Sequence, residues 1–252
     1  ESGRTRGGAG FNLIYRIPNK ITFNNRATYQ YTKAYESPYG GFQTYVQMNP
    51  YERIYDDNGN LNIRYAELGA LYTFGPTTYN PLYDATLGFR NDNRTHYISN
   101  NISIDWMVSQ AFRIKLRGVM ARSIIDGDKY TSPYNSSFFG ITDQSRKGRY
   151  DITNANATQF NSNLTLEYNK NINKHQIFSS LIGEIRTDDS NIKSYTVTGF
   201  NDDRFISPAL ALQYAANTVP TTFSNPIRSV SLLGSINYSY DNRYNLSGTL
   251  TS

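Results

Sequence analysis

Hydrophobic and polar residues alternate with a two-residue period in four places along the chain, and in each place two such runs meet across a short turn. Between 95 and 123, Ile98, Ile102, Ile104, Trp106 and Val108 fall on even positions, with Ser99, Asn101, Ser103 and Asp105 between them. After Ser109-Gln110-Ala111, Phe112, Ile114, Leu116 and Met120 are again even, and Arg113, Lys115 and Arg117 are odd. A period of two places one set of side chains on each face of a strand, so each pair reads as a hairpin with one apolar and one polar face.

The same pattern recurs at about 10–32, 158–187 and 228–252. Phe11, Leu13, Tyr15 and Ile17 precede a turn at Pro18-Asn19-Lys20, and Ile21, Phe23, Ala27, Tyr29 and Tyr31 follow it. Phe160, Leu164, Leu166 and Tyr168 lead to a six-residue turn at 169–174, after which Ile177, Leu181 and Ile185 share a face that Phe178 and Ile182 do not. Val230, Leu232, Ile236, Tyr238 and Tyr240 turn at Asp241-Asn242-Arg243 into Tyr244, Leu246 and Leu250. Asp and Asn tolerate the left-handed backbone such turns require. The intervening segments, 33–94, 124–157 and 188–227, all fall on one side of the sheet. Within them Ala66 to Phe74 reads as a strand or short helix and Pro208 to Asn217 as a short helix. Short turns on one side and long loops on the other are the layout of a transmembrane β-barrel. The expected fold is therefore all-β: an antiparallel, up-and-down barrel segment of about eight strands in four hairpins.

Two details favour lipid over a soluble core on the apolar faces. No Asp, Glu, Lys or Arg interrupts the middle of any of these faces, where a charge at the bilayer midplane costs about 2–4 kcal/mol. Trp106, Phe112, Tyr168, Tyr238, Tyr240 and Tyr244 crowd the turns, as rings with a polar tip do at a headgroup layer. The opposite face, carrying Arg26, Asp105, Arg113, Lys115, Arg117, Glu167, Glu184 and Arg186, would then line the lumen.

Composition agrees. Hydrophobic residues make up 38% of the 252, and no run approaches the ~20 apolar residues of a spanning helix. A barrel needs none, because only alternate residues meet lipid. There is no Cys, which removes disulfides and thiolate metal sites. The net charge of +5 is spread over strands and loops rather than gathered on one face, so the chain is not expected to bind nucleic acid. It opens on Glu1-Ser2-Gly3-Arg4 and stops inside an alternating run, and reads as an internal portion of a longer protein.

Catalytic chemistry finds no support. His96 and His175 fall at opposite ends of strands, which precludes a shared triad or metal site. The carboxylate pairs Asp126/Asp128 and Asp202/Asp203 read as solvated loop residues. Asp56, Asn58, Asn60, Asn62 and Glu67 match calcium-loop positions, but Leu61 stands where the glycine belongs and Gly59 is two residues early, so a tight turn is the better reading. No cofactor is expected. The best ligand candidates are loop aromatics that can stack on a sugar or other planar group: Tyr39, Phe42, Tyr45, Tyr79, Tyr83, Tyr130, Tyr134, Phe138, Phe139, Tyr195 and Phe200.

The order and spacing of several segments resemble the SusC/RagA family of TonB-dependent outer-membrane transporters. They are SPYGGFQTYVQMNPYERIYDDNGN (37–60), YNPLYDATL (79–87), THYISNNISIDWMVSQAFRIKLRG (95–118), QFNSNLTLEYNKNINKHQI (159–177), YTVTGFNDDRF (195–205) and SVSLLGSINYSYDNRYNLSGTLTS (229–252). The resemblance implies a 22-stranded barrel filled by an N-terminal plug, of which residues 1–252 would be part, with the plug and the other strands outside this chain. It implies a bacterial outer-membrane location and TonB-driven import of a glycan or peptide. It also implies a SusD-like lipoprotein partner and contact with the TonB complex through parts not in this chain. Two other readings fit the residues: a small passive porin or adhesin of eight strands, or a soluble glycan-binding β-domain.

Overall fold

The computed structural model describes residues 2–46, 48, 53–64 and 79–252. Eight long strands form one antiparallel sheet in which each strand lies beside its neighbour in sequence. They are β1 (Gly3–Ile17), β2 (Ile21–Tyr35), β3 (Phe89–Met107), β4 (Phe112–Thr131), β5 (Arg149–Ile172), β6 (His175–Thr198), β8 (Thr221–Tyr240) and β9 (Tyr244–Thr251). A two-residue strand, β7 (Gln213–Tyr214), pairs with the loop end of β6. The sheet is open, with β1 and β9 as its edges. A small barrel closed by these strands alone is thereby overturned.

The four hairpins are where alternation places them, but every strand except β9 continues past the alternating run. The loops shrink to 36–88, 132–148 and 199–220. Asp126 and Asp128, expected in a loop, are inside β4. The expected six-residue turn at 169–174 tightens to Asn173-Lys174 between the paired Ile172 and His175. The segment expected as a helix after Pro208 is a single 3-10 turn, Pro208–Leu210, followed by β7. Ala66 to Phe74 lies outside the described residues.

The turns form for local reasons. Asn19, Asn173, Asp241 and Asn242 have φ of 57°, 49°, 53° and 55°, the left-handed region that these short polar side chains enter most readily. Ser109 Oγ accepts from the backbone N–H of Ala111 (3.3 Å) and Phe112 (3.0 Å), closing the β3–β4 turn.

Each ladder keeps a constant register from end to end, with no bulge. A one-residue slip would exchange the two faces, so parity is continuous across the whole sheet. One row runs Tyr15, Phe23, Ile104, Leu116, Leu164, Gly183, Leu232. The next row toward the turns runs Ile17, Ile21, Trp106, Ile114, Leu166, Leu181, Gly234, Leu250. Phe178 and Ile182 stand on the polar face, paired with Asn237 and Leu233.

Candidate functional site

Three regions carry chemistry: a bare apolar band, the polar face behind it, and the packed loop ends. In the band, Leu116, Leu164 and Leu232 are 36%, 43% and 49% exposed. A soluble sheet of this size would bury such a row against a second layer. Aromatic side chains close its turn end, where Phe112 pairs with Tyr168 and Tyr240 with Tyr244. His175 sits there with Tyr238 and Tyr240, its Nδ1 2.6 Å from the Tyr238 hydroxyl. His96 packs against Tyr29 and Tyr31 at the other end of the band. The two histidines are thus kept apart as their sequence positions require.

The band's loop-side edge is oblique to the strands. Going from β2 to β8, the first charged residues on the apolar face are Lys33, Arg94, Arg122, Asp189 and Arg228, with none on β5 before its loop end. The row through Arg228 passes Thr187, Phe160, Met120 and Asn100 and reaches β2 at Ala27. That is six residues nearer the turn than Lys33, after five strand spacings. Six residues rise about 20 Å and five spacings span about 24 Å, so the edge crosses the strands' perpendicular at about 40°. Strands of membrane barrels are inclined by about 35–45°. A flat apolar slab crossed by tilted strands leaves this trace; a protein core has no reason to.

All eight residues expected on the lumen side do share the polar face. Lys115 Nζ is 2.6 Å from Glu167 Oε1 on the neighbouring strand, and Arg113 is 3.5 Å from Asp105. Glu184 accepts from Asn161 Nδ2 at 3.1 Å, and Arg186 pairs with Asp188 at 2.6 Å. Arg26 and Arg117 stand in the two rows crossing Asn101 and Ser103.

Beyond the charged edge, loop segments cover the face that the band leaves bare. Continuous parity puts Tyr130, Tyr150 and Val197 on the same face as Leu116 and Leu164. Phe200 closes over them, its ring edge-on to Tyr130 at 5.2 Å between centroids. Gly199, with φ of 87°, makes the bend; a Cβ there would lie 2.8 Å from Leu212 and 2.9 Å from the Ser145 carbonyl. Its N–H and that of Phe200 both donate to the Lys147 carbonyl, at 2.9 and 3.0 Å.

Carboxylates join the loops. Asp203 Oδ2 accepts from the Gly88 N–H (2.9 Å) and the Ser132 hydroxyl (3.1 Å), so one side chain touches all three loop regions. Asp84 accepts from the N–H (2.8 Å) and hydroxyl (2.5 Å) of Ser136. Buried Asn80 caps the short helix Pro81–Asp84 through Leu82 N–H and donates to the carbonyls of Ile54 and Asn62. Asp126 and Asp128, within β4, bond Asn154 (2.7 Å) and Tyr150 (3.1 Å), and Arg90 reaches Asp128 at 3.1 Å. Neither is arranged as an acid/base pair.

This assembly divides the aromatic candidates. Tyr130 and Phe200, at 0% and 1% exposure, have their faces taken by protein and are withdrawn as stacking residues. Tyr195 is in β6 rather than a loop, half-buried against the same cluster and edge-on to Tyr214. Tyr79, Tyr83 and Phe139 form a ring group, with Arg64 5.7 Å above Tyr79. Phe138 is half-buried in the 3-10 turn Ser136–Phe138. Tyr134 donates to the Asn201 carbonyl at 3.1 Å yet stays exposed. Tyr39 and Phe42 are exposed, and Tyr45 donates to the Tyr39 carbonyl at 2.7 Å.

The calcium-like segment is a self-capped turn. Asp56 Oδ1 accepts from the N–H of Asn58 and Asn60, and Oδ2 from the Asn60 amide. The Asn60 N–H, above all, holds this carboxyl below its usual range. Asp57 pairs with Arg53 at 2.7 Å; Glu67 lies outside the described residues. No group of three potential metal ligands occurs among the described residues.

No protein-family model matches the chain, and no curated protein matches it in sequence. Solved structures do match. A chain in the structure of the RagAB peptide transporter superposes with a TM-score of 0.74 at 14% identity, covering 99% of this chain. The RagAB peptide importer in its closed-closed and open-open states gives a TM-score of 0.70 at 15% identity in each case, covering all of this chain. The chain spans 28% of the length of each of these neighbours. The shared property is the fold: this chain is similar to one stretch of the β-sheet of a transporter.

Proposed function

We propose that this chain is a section of the wall and outer loops of a bacterial outer-membrane β-barrel that imports an oligomeric nutrient. The carrying observation is the bare apolar band, with its edge inclined at about the angle of membrane-barrel strands. The likeness to the RagAB sheet supports the same reading.

In this reading the apolar face meets lipid, and the face carrying Arg26, Asp105, Arg113, Lys115, Arg117, Glu167, Glu184 and Arg186 lines the lumen and contacts a plug. The cross-strand pairs Lys115–Glu167 and Arg113–Asp105 keep part of that lining charge-compensated, so cargo meets fixed dipoles rather than one dominant sign. The loop aromatics left exposed, Tyr39, Phe42 and Tyr134, with the half-buried group around Phe139, are the first contacts for cargo or for a SusD-like lipoprotein. Import requires no covalent step; its energy would come from the TonB complex acting on parts outside this chain. Peptide is the cargo of the similar RagAB transporter, and a glycan is the alternative the aromatics would also serve.

The test is uptake in the native organism. Deleting the gene should abolish growth on one class of oligomer, peptide or glycan, and removing TonB should reproduce the defect. Normal growth on every oligomer class in the deletion strain would refute the import role.

A further inference from the structure

The oblique edge carries four cations, Lys33, Arg94, Arg122 and Arg228. Lys33, Arg122 and Arg228 are exposed, and no ion pair joins them to any described residue. Arg94 differs, being held by Asp92 and Asp128 at 3.1 and 3.8 Å. Asp189, exposed on β6 one row from Arg228, is the opposing charge on this edge.

Arg122 is the most exacting case. It pairs across the ladders with Ile98 and Thr158, and Met120 and Ile124 flank it on the same face of β4. A guanidinium on a lipid-facing surface would be unfavourable unless its head reached a polar layer, and a long stem allows that. Arg122 and Arg228 are separated by three strand spacings and one row, about 16 Å, too far for one small anion to bridge. Each cation therefore answers to its own anion, and all lie at one level relative to the apolar slab.

We propose that Lys33, Arg122 and Arg228 bind phosphate headgroups of lipids in the loop-side leaflet, with Arg122 as the principal contact. A planar guanidinium forms paired hydrogen bonds to phosphate oxygens, and the neighbouring Thr158 hydroxyl on β5 can donate to the same group. The site rests on the membrane reading above and adds a lipid specificity to it: a terminal phosphomonoester offers three free oxygens, enough for the paired guanidinium bonds and the Thr158 hydroxyl together, where the phosphodiester of phosphatidylserine leaves only the pair that the guanidinium takes.

The experiment uses the full-length protein in vesicles of phosphatidylcholine containing either phosphatidic acid or phosphatidylserine at equal surface charge. Lipid retained after extraction is counted by native mass spectrometry. The wild type should retain phosphatidic acid at least tenfold over phosphatidylserine. The triple variant Lys33→Gln/Arg122→Gln/Arg228→Gln should lose that preference, while Arg113→Gln/Arg117→Gln on the opposite face should keep it. Equal retention of both lipids by the wild type, or an unchanged preference in the triple variant, overturns the phosphomonoester site alone. A wild type that does not enter vesicles at all refutes the membrane reading itself.

Discussion

Leu116→Arg tests the depth assignment most severely among single substitutions. Leu116 is six residues along β4 from Arg122. At about 3.3 Å per residue and an inclination near 40°, it lies about 15 Å below the charged edge, half of a ~30 Å hydrocarbon core. Its cross-strand partners are Ile104 and Leu164, so an arginine there would have neither a counter-ion nor a short path to water. The expected cost is about 2–4 kcal/mol, against about 1 kcal/mol or less for Met120→Arg, about 5 Å from the edge. Lys115→Gln, one residue away on the other face, removes only the part-exposed pair with Glu167 and should cost about 1 kcal/mol or less. The assay is reversible guanidinium unfolding of the full-length protein from phospholipid vesicles, read as a midpoint shift at constant slope. Equal destabilisation by Leu116→Arg and Met120→Arg, or a larger loss from Lys115→Gln than from Leu116→Arg, would refute the argument.

Other substitutions address the loops. Phe200→Ala empties the site packed against Tyr130 and Tyr150 and should cost the loop assembly about 3–5 kcal/mol, seen as faster proteolysis of 132–148 and 199–220 with barrel assembly intact. Gly199→Ala should give the same proteolytic pattern, because its positive φ and the close Leu212 and Ser145 atoms leave no strain-free position for a methyl group. Asp203→Ala should release the Gly88 N–H and the Ser132 hydroxyl together and speed amide hydrogen exchange at Gly88, by about 1–3 kcal/mol in protection. Calcium titration followed by calorimetry should show no binding at Asp56, whose oxygens already accept from Asn58 and Asn60.

Parity was readable from the residues because the band has one wet and one apolar side: Ile98 to Val108 and Phe112 to Met120 specify strand, register and face together. Strand ends were not readable in the same way. Past the charged edge both faces turn polar, as in the paired Arg94, Asp126, Asn154 and Lys193, so alternation vanishes while the ladders continue. Tyr130 and Tyr150 show the cost of stopping at that point. Extending the even-residue face of β4 from Met120 through Asp128 reaches Tyr130, and the same extension of β5 reaches Ile152 and Tyr150, neither of which alternation alone marks. Phe200 gave a weaker signal, a ring following a glycine at the end of a strand. The slant of the band's edge could not be seen in any one strand, since it exists only as an offset between strands in known register.

The lack of cysteine in these 252 residues makes one measurement direct. Single cysteines at 114 through 119 along β4, each in the full-length protein reconstituted in a bilayer, would be offered a membrane-impermeant maleimide and a lipid-borne quencher. Positions 115, 117 and 119 should label from water, and 114, 116 and 118 should be quenched from lipid. Labelling without a two-residue period, or quenching confined to the odd positions, would contradict the account.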